Sequence, residues 1–289
     1  MFHRSTLLKL SCVALTAALA ACAPDSRGDA DDDAVDPAAD AAPAVPDAAP
    51  FIDGSPFLDG GSANPEYTVY VHSKDTLYTM DPVSYTLTTI GTFDPSPADD
   101  ITDLAVAADN TIFVISKTKL YKADPHDAHV TFVANLSTSP TGGNVGLTFL
   151  PDGDLLATDK SGGVRSINPG SGLVHEIGTF TNHFRTAGDL VAVDDGTMYA
   201  ISDYGPDGNF TANNWLIKVD PATATATQVG QIGVGGVFGA AFVNGKVIVF
   251  TKTGQIVEVN PATGAGTIKA TTIVEFWGAG VTPLVPGVE

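Results

Sequence analysis

Five times along this 289-residue chain an Asp-Pro or Asn-Pro pair follows an aliphatic-rich stretch: at Asp81-Pro82, Asp124-Pro125, Asn168-Pro169, Asp220-Pro221 and Asn260-Pro261. The intervals are 43, 44, 52 and 40 residues, and the surroundings repeat too: LYTMDPVSYTLTTIG, LYKADPHDAHVTFVA, VRSINPGSGLVHEIG, LIKVDPATATATQVG and IVEVNPATGAGTIKA. Asp or Asn can accept a hydrogen bond from the backbone two residues on, Pro presets the turn, and apolar residues alternate on both sides, so each copy reads as a β-hairpin. A second strand pair precedes four of them: ITDLAVAADNTIFVIS, VGLTFLPDGDLLATD, GDLVAVDDGTMYAIS and FGAAFVNGKVIVFT. Their Asp109-Asn110, Asp152-Gly153, Asp195-Gly196 and Asn244-Gly245 pairs are tight-turn signals.

Four short antiparallel strands in about 43 residues is the length and content of one propeller blade. The first copy begins at its second strand, TVYVHS from Thr68, and the missing innermost strand is supplied from the other end of the chain by residues 277–281. A composite blade of this kind closes the ring and removes the sheet edges that invite aggregation. The expected fold is therefore all-β, a single five-bladed propeller over 67–289; a six-bladed ring would need a further copy, which the sequence lacks. A monomer is expected. The repeat resembles a widespread bacterial extracytoplasmic propeller repeat of the form Leu-Tyr-x-Ile-[Asp/Asn]-Pro-x-Thr-Gly followed by a strand ending Ile-Gly. The resemblance covers the whole folded part and implies the fold, because its motif residues are turn and core residues.

Residues 1–21 combine a basic start (Arg4, Lys9), the apolar stretch LSCVALTAALA and small residues before a cysteine, the pattern of a secretory signal. Leu19-Ala20-Ala21-Cys22 resembles the bacterial lipobox, which implies cleavage before Cys22, a lipid on that cysteine and the membrane as a partner through it. Ala23 follows, and by the same resemblance this favours the outer membrane, with the periplasmic or surface side open. Over 22–66 Ala, Pro and Asp dominate, with 11 acidic residues against Arg27 alone. Such a stretch cannot bury enough apolar surface to order itself, and reads as a self-repelling tether.

The chain carries 33 Asp+Glu against 14 Lys+Arg, a net charge of -19, which repels phosphate backbones and argues against a nucleic-acid partner. Once Cys12 leaves with the signal and Cys22 is lipidated, thiol chemistry has no residue to use. There is no nucleophile elbow, no P-loop and no His-Glu-x-x-His; the glycines 233, 235, 236 and 239 lack the strand-to-helix setting of a dinucleotide site.

What remains is positional. Loops between blades, here 94–101, 137–145, 181–188 and 230–237, gather on one face of a propeller with the turns between second and third strands. DPSPADD places Asp99 and Asp100 there, and TNHFRTAGD places His183 and Arg185. The 52-residue interval reflects an insertion at 203–215 in blade four, and long loops on a rigid scaffold often carry function. It brings Asp203, Asp207 and Asn209, oxygen donors that would suit calcium or another divalent cation, although the spacing is not that of an EF-hand loop. Aligning the innermost strands puts Asp103, Gly146, Asp189, Gly239 and Gly278 at equivalent positions beside the channel. The two aspartates there either face water or a cation, or cap backbone groups.

Tethered address and missing catalytic motifs together favour a non-enzymatic binding module for a small molecule, glycan or protein, using the face with Asp99, Asp100, His183, Arg185, Asp203 and Asp207. The alternative is a metal-assisted hydrolase, lactonase or lyase with His183 as acid or base. A purely structural envelope protein is the third reading. No organic cofactor is implied.

Overall fold

In the computed structural model of the protein the described residues are 68–97 and 99–281; the expected signal, Cys22 and the tether lie outside them. Twenty strands form five four-stranded antiparallel sheets. Blade one joins β1 (Val69–His72), β2 (Thr76–Met80) and β3 (Leu87–Thr92) to the last strand, β20 (Gly278–Gly280). Blade two is β4 (Ile101–Val106), β5 (Ile112–Ser116), β6 (Lys119–Ala123) and β7 (Val130–Asn135). Blade three is β8 (Asn144–Phe149), β9 (Leu155–Asp159), β10 (Gly163–Ile167) and β11 (Val174–Thr179). Blade four is β12 (Thr186–Ala192), β13 (Met198–Tyr204), β14 (Phe210–Val219) and β15 (Ala226–Gln231); blade five is β16 (Val237–Val243), β17 (Lys246–Thr251), β18 (Gln255–Val259) and β19 (Gly266–Thr271). The innermost strands touch in the closed order β20, β4, β8, β12, β16 and back to β20, so the chain is a five-bladed β-propeller. Closure is by the composite blade: Tyr70 pairs with Gly280, Val71 with Ala279 and His72 with Gly278.

All five Asp-Pro or Asn-Pro turns have one geometry. The side-chain Oδ1 of Asp81, Asp124, Asn168, Asp220 and Asn260 accepts the backbone N–H two residues on, at 3.0, 2.8, 3.1, 2.8 and 2.8 Å. The backbone oxygen of the same residue accepts the N–H four residues on, from Tyr85, Ala128, Gly172, Ala224 and Gly264, each at positive φ. The Asx acceptor thus fixes the turn in every blade.

The Ile-Gly that ends the outer strand also has a cause. The chain bulges where the third and fourth strands pair, and the glycine is then pressed against the Asp-Pro turn of the next blade. A Cβ on Gly91 would lie 2.5 Å from Asp127 O, and one on Gly178 3.1 Å from Thr223 O. Successive blades are therefore stitched at the rim, as where Val130 N–H donates to Asp94 O (2.7 Å) and Gly266 N–H to Ile232 O (3.0 Å).

Burial falls from axis to rim. Every residue of β5 and β9 is buried, on both faces of the sheet, because neighbouring blades cover both; β3 and β11 have no fully buried residue. The apolar clusters accordingly lie between blades, such as Leu77, Phe93, Leu104 and Val114 between blades one and two. In blade four the insertion extends the second and third strands into a projecting hairpin, with Tyr204 opposite Phe210, where the sequence suggested a loop.

Asp220→Ala is expected to lower unfolding free energy by roughly 1–2 kcal/mol, since it removes the Asx acceptor and leaves its donor without a protein partner. Asp220→Asn keeps the acceptor, as Asn168 and Asn260 do naturally, and should stay within about 0.5 kcal/mol of the parent. Urea midpoints of the two variants check this.

Candidate functional site: the channel axis and its mouth

The strand register sets Asp103, Gly146, Asp189, Gly239 and Gly278 at one level of the axis. Their partners on the second strand are Ile115, Thr158, Phe250 and His72 opposite Asp103, Gly146, Gly239 and Gly278, with Ile201 at the irregular step beside Asp189. Where the inner residue is Asp, the second strand offers Ile. Where it is Gly, the second strand carries His, Thr or Phe, and His72 and Thr158 come directly against their glycines. A Cβ on Gly278 would collide with both Asp103 Oδ1 and His72 Nε2, and one on Gly146 with Thr158 Oγ1.

Asp103 and Asp189 are completely buried and cap backbone groups. Asp103 accepts from Leu104 N–H and, in blade three, Leu147 N–H, both at 2.8 Å. Asp189 accepts from Leu190 N–H and, in blade five, Ala240 N–H, both at 2.6 Å, and also from Ala279 N–H of blade one. The two carboxyls are close enough for their titrations to be coupled. Burial, and for Asp103 the neighbouring Asp189, raises both above the carboxylate range, so the pair holds at least one proton at neutral pH. His72 is also fully buried; its Nδ1–H donates to Ser73 O at 2.7 Å, and burial lowers its pKa to about 4. Its Nε2 and Thr158 Oγ1 have no protein partner.

Above this plug the mouth opens as a pocket of about 290 Å³. Its floor comes from the residues just before the axial position, Thr102, Val145, Phe238 and Trp277, and its wall carries Lys117, Lys160 and Lys252 with Asp100 and Glu275. The lysines share one structural origin. In the turn after each second strand a Ser, Thr or Asp side chain caps a backbone N–H: Ser73 that of Thr76 (3.2 Å), Ser116 that of Lys119 (3.1 Å), Asp159 that of Ser161 (2.7 Å), Thr251 that of Gln255 (2.9 Å). The residue directly after the cap is Lys74, Lys117, Lys160 and Lys252; in blade four it is Asp203, after Ser202. Sequence reasoning missed these lysines, although the recurring HSKD, ISKT, TDKS and FTKT carry the signal.

Of the residues singled out from sequence, Asp100 lines this pocket and pairs with Lys74 at 3.5 Å. Asp99 accepts from Thr118 Oγ1 at 2.8 Å, on the turn that carries Lys117. Arg185 lies over the Tyr204 ring, 4.5 Å from its centroid. Asp203 is half-buried, with Oδ1 lacking a partner; burial raises its pKa against the pull of Arg185 and Lys160. Asp207 turns away to its own loop, accepting from Asn209 N–H (3.2 Å) and Nδ2–H (2.9 Å), with His183 packed against Gly208 nearby. Asp203 is thus engaged with Arg185 and Lys160 and not with the axial aspartates. Among the described residues no group of three His, Cys, Asp or Glu side chains has the geometry to hold a metal ion.

No family model and no curated protein sequence matches the chain. Among solved structures, it is similar to a chain of a nidogen/laminin complex, at 10% identity and TM-score 0.51, covering 74% of this chain and 98% of that one. It is also similar to a structural-genomics protein of unknown function from Bacteroides thetaiotaomicron (15% identity, 63% and 53% coverage, TM-score 0.47). A third is virginiamycin B lyase from Staphylococcus aureus (14% identity, 70% and 65% coverage, TM-score 0.42). The first supports the propeller fold; at these identities none speaks to activity.

The axial plug has a pH signature with two opposite limbs. The aspartates keep protons that the unfolded chain releases near pH 4, so their contribution to stability declines as pH rises above about 4. His72 stays neutral in the fold while the unfolded histidine takes up a proton below about 6.5, so stability also declines as pH falls from about 6.5 to 4, by roughly 3 kcal/mol. Asp189→Asn should shrink the alkaline limb to the part that buried Asp103 supplies, and leave the acid limb unchanged. His72→Phe, which copies Phe250 opposite Gly239, should flatten the acid limb alone. Denaturant midpoints between pH 4 and 9 read both.

Proposed function

We propose that this chain is a lipid-anchored envelope propeller that binds a ligand at its channel mouth and carries out no chemistry on it. One observation carries the reading: four of five blades place a lysine at the same turn, and three of these, Lys117, Lys160 and Lys252, line one pocket with an aromatic floor. The domain has 11 basic residues within 67–289, and four of these are that set of lysines, with Arg185 a fifth beside it. Structural surfaces do not require such concentration. Concave pockets with apolar floors and a few convergent polar groups are where ligands bind. Asp99, Asp100, Arg185 and Asp203 contribute to the same face, while Asp207 and His183 belong to the projecting hairpin and its neighbour.

A binding role also fits the floor. The two carboxyls beneath it are consumed in capping backbone amides of all five blades, so the mouth offers recognition contacts on a closed base. The anchor is part of the proposal: Cys22 carries the lipid, Ala23 directs the protein to the outer membrane, and 22–66 spaces the domain from the bilayer.

Two measurements test this. Cys22→Ala should move the protein from the membrane fraction to the soluble fraction and abolish incorporation of labelled fatty acid; unchanged labelling would remove the anchor from the proposal. For the mouth, intrinsic fluorescence of the full chain is screened against sugars, organic acids and peptides. Hits should lose about tenfold or more in affinity with Trp277→Ala or Lys117→Ala and stay unaffected by Lys246→Ala, whose side chain pairs with Glu258. Hits insensitive to both mouth variants place binding elsewhere.

A further inference from the structure

The mouth is polarised around its ring. On the side of blades five and one, Lys252 is neutralised by Glu275 (3.2 Å) and Lys74 by Asp100 (3.5 Å). The half-buried aromatic side chains Phe238 and Trp277 belong to that same side. Across from it, blades two and three present Lys117 and Lys160, which have no carboxylate within 4 Å among the described residues. Lys160 meets only the more distant field of Asp203. One half of the pocket therefore offers flat rings flanked by carboxylates, and the other an uncompensated pair of ammonium groups.

Resting on the reading above, we infer that the ligand is an acidic sugar: a pyranose carrying a carboxylate, as a free unit or within a glycan. Its carboxylate lies between Lys117 and Lys160, where two ammonium donors stand with no carboxylate within 4 Å among the described residues. Its ring face covers Trp277, whose indole offers apolar area at low conformational cost. Its hydroxyls donate to Asp100 and Glu275, acceptor-only groups that a purely anionic ligand would avoid. Each half selects against a simpler ligand. A neutral sugar leaves the lysine pair unpaired, and a phosphate-rich ligand places several charges near Asp100 and Glu275. At about 290 Å³ the cavity is at the small end of ligand sites, which suits one or two rings with the remainder of a chain leaving through the open mouth.

The test is titration calorimetry of the full chain with galacturonic and glucuronic acids, their neutral counterparts galactose and glucose, and acetate and benzoate. At least one acidic sugar is expected to bind about tenfold or more tightly than its neutral counterpart and than either simple acid. Lys117→Ala and Lys160→Ala should each weaken it about tenfold, raised salt should weaken it too, and Trp277→Ala should abolish it. Both lysines are exposed, so unchanged unfolding midpoints separate lost contacts from lost fold. Equal binding of neutral sugars, equal binding of benzoate, or full affinity in the double lysine variant overturns the inference. If no acidic sugar binds while other compounds bind in a Trp277-dependent way, the mouth remains the site and the ligand class is wrong. If nothing binds there, both readings fall.

Discussion

The rest of this molecule depends on one pair of buried, coupled side chains at its axis, Asp103 and Asp189. Through the amides each carboxyl accepts, it reaches Leu104 in blade two, Leu147 in blade three, Leu190 in blade four, Ala240 in blade five and Ala279 in blade one. All five innermost strands thus end on one pair of side chains. Burying two acids is costly, and two charges in contact would be costlier still; the cost falls when the pair keeps a proton and accepts five backbone N–H groups. Five blades bring the inner strands so close that the other three positions at this level can only be glycine. Opposite those glycines the second strand carries His72, Thr158 and Phe250, of which His72 and Thr158 come directly against the glycine, and it carries isoleucine beside the aspartates.

That packing fixes what the mouth can be. With Asp103, Asp189 and His72 fully buried, the axis is plugged at their level, and the pocket above is a cup. Its floor is set by the residue before each axial position, and its wall by the residue after each turn cap. Both are therefore placed by backbone register, one contribution per blade. A substitution at either position changes the pocket without disturbing the plug, which is the division of labour expected of a binding site built on a closed scaffold.

Much of this was legible in the repeat. The five Asx turns, the tight turns between first and second strands and the composite closing blade all follow from short-range rules, because turn chemistry acts within a few residues. Ile-Gly was readable as a motif but not as a cause: the reason for Gly91 is a carbonyl of the next blade. The alignment of Asp103 with Asp189 was also visible, whereas their contact depends on ring closure, which brings together residues 86 apart. His72 gave no sign, since the sequence places it one residue before the serine cap, where other blades carry Ile, Thr or Phe. The lysines were in plain sight at a fixed repeat position. They went unread because a lysine in a turn is ordinary once and meaningful only when the same turn repeats around an axis. The insertion of blade four was placed correctly, yet its residues continue the strand pattern beyond Ser202, so it projects as a hairpin stiffened by Tyr204 against Phe210.

An anionic ligand faces a particular difficulty on this protein. Residues 67–289 carry 22 acidic and 11 basic side chains, so at a distance the domain repels the anionic ligand proposed for its mouth. The two effects differ in range. Repulsion from charges spread over the surface is summed over many ångströms and is screened beyond about 8 Å at physiological ionic strength. Attraction by Lys117 and Lys160 acts at contact, inside a concave wall where field lines concentrate and screening is weakest. Moderate salt therefore removes the barrier to approach before it removes the grip, and a mouth with two uncompensated lysines suffices where a uniformly basic domain would bind polyanions without choice. The neutralised lysines contribute by the same logic: by pairing Lys74 and Lys252 with acids, the ring keeps its charge on one side, and a ligand must match both halves to bind well.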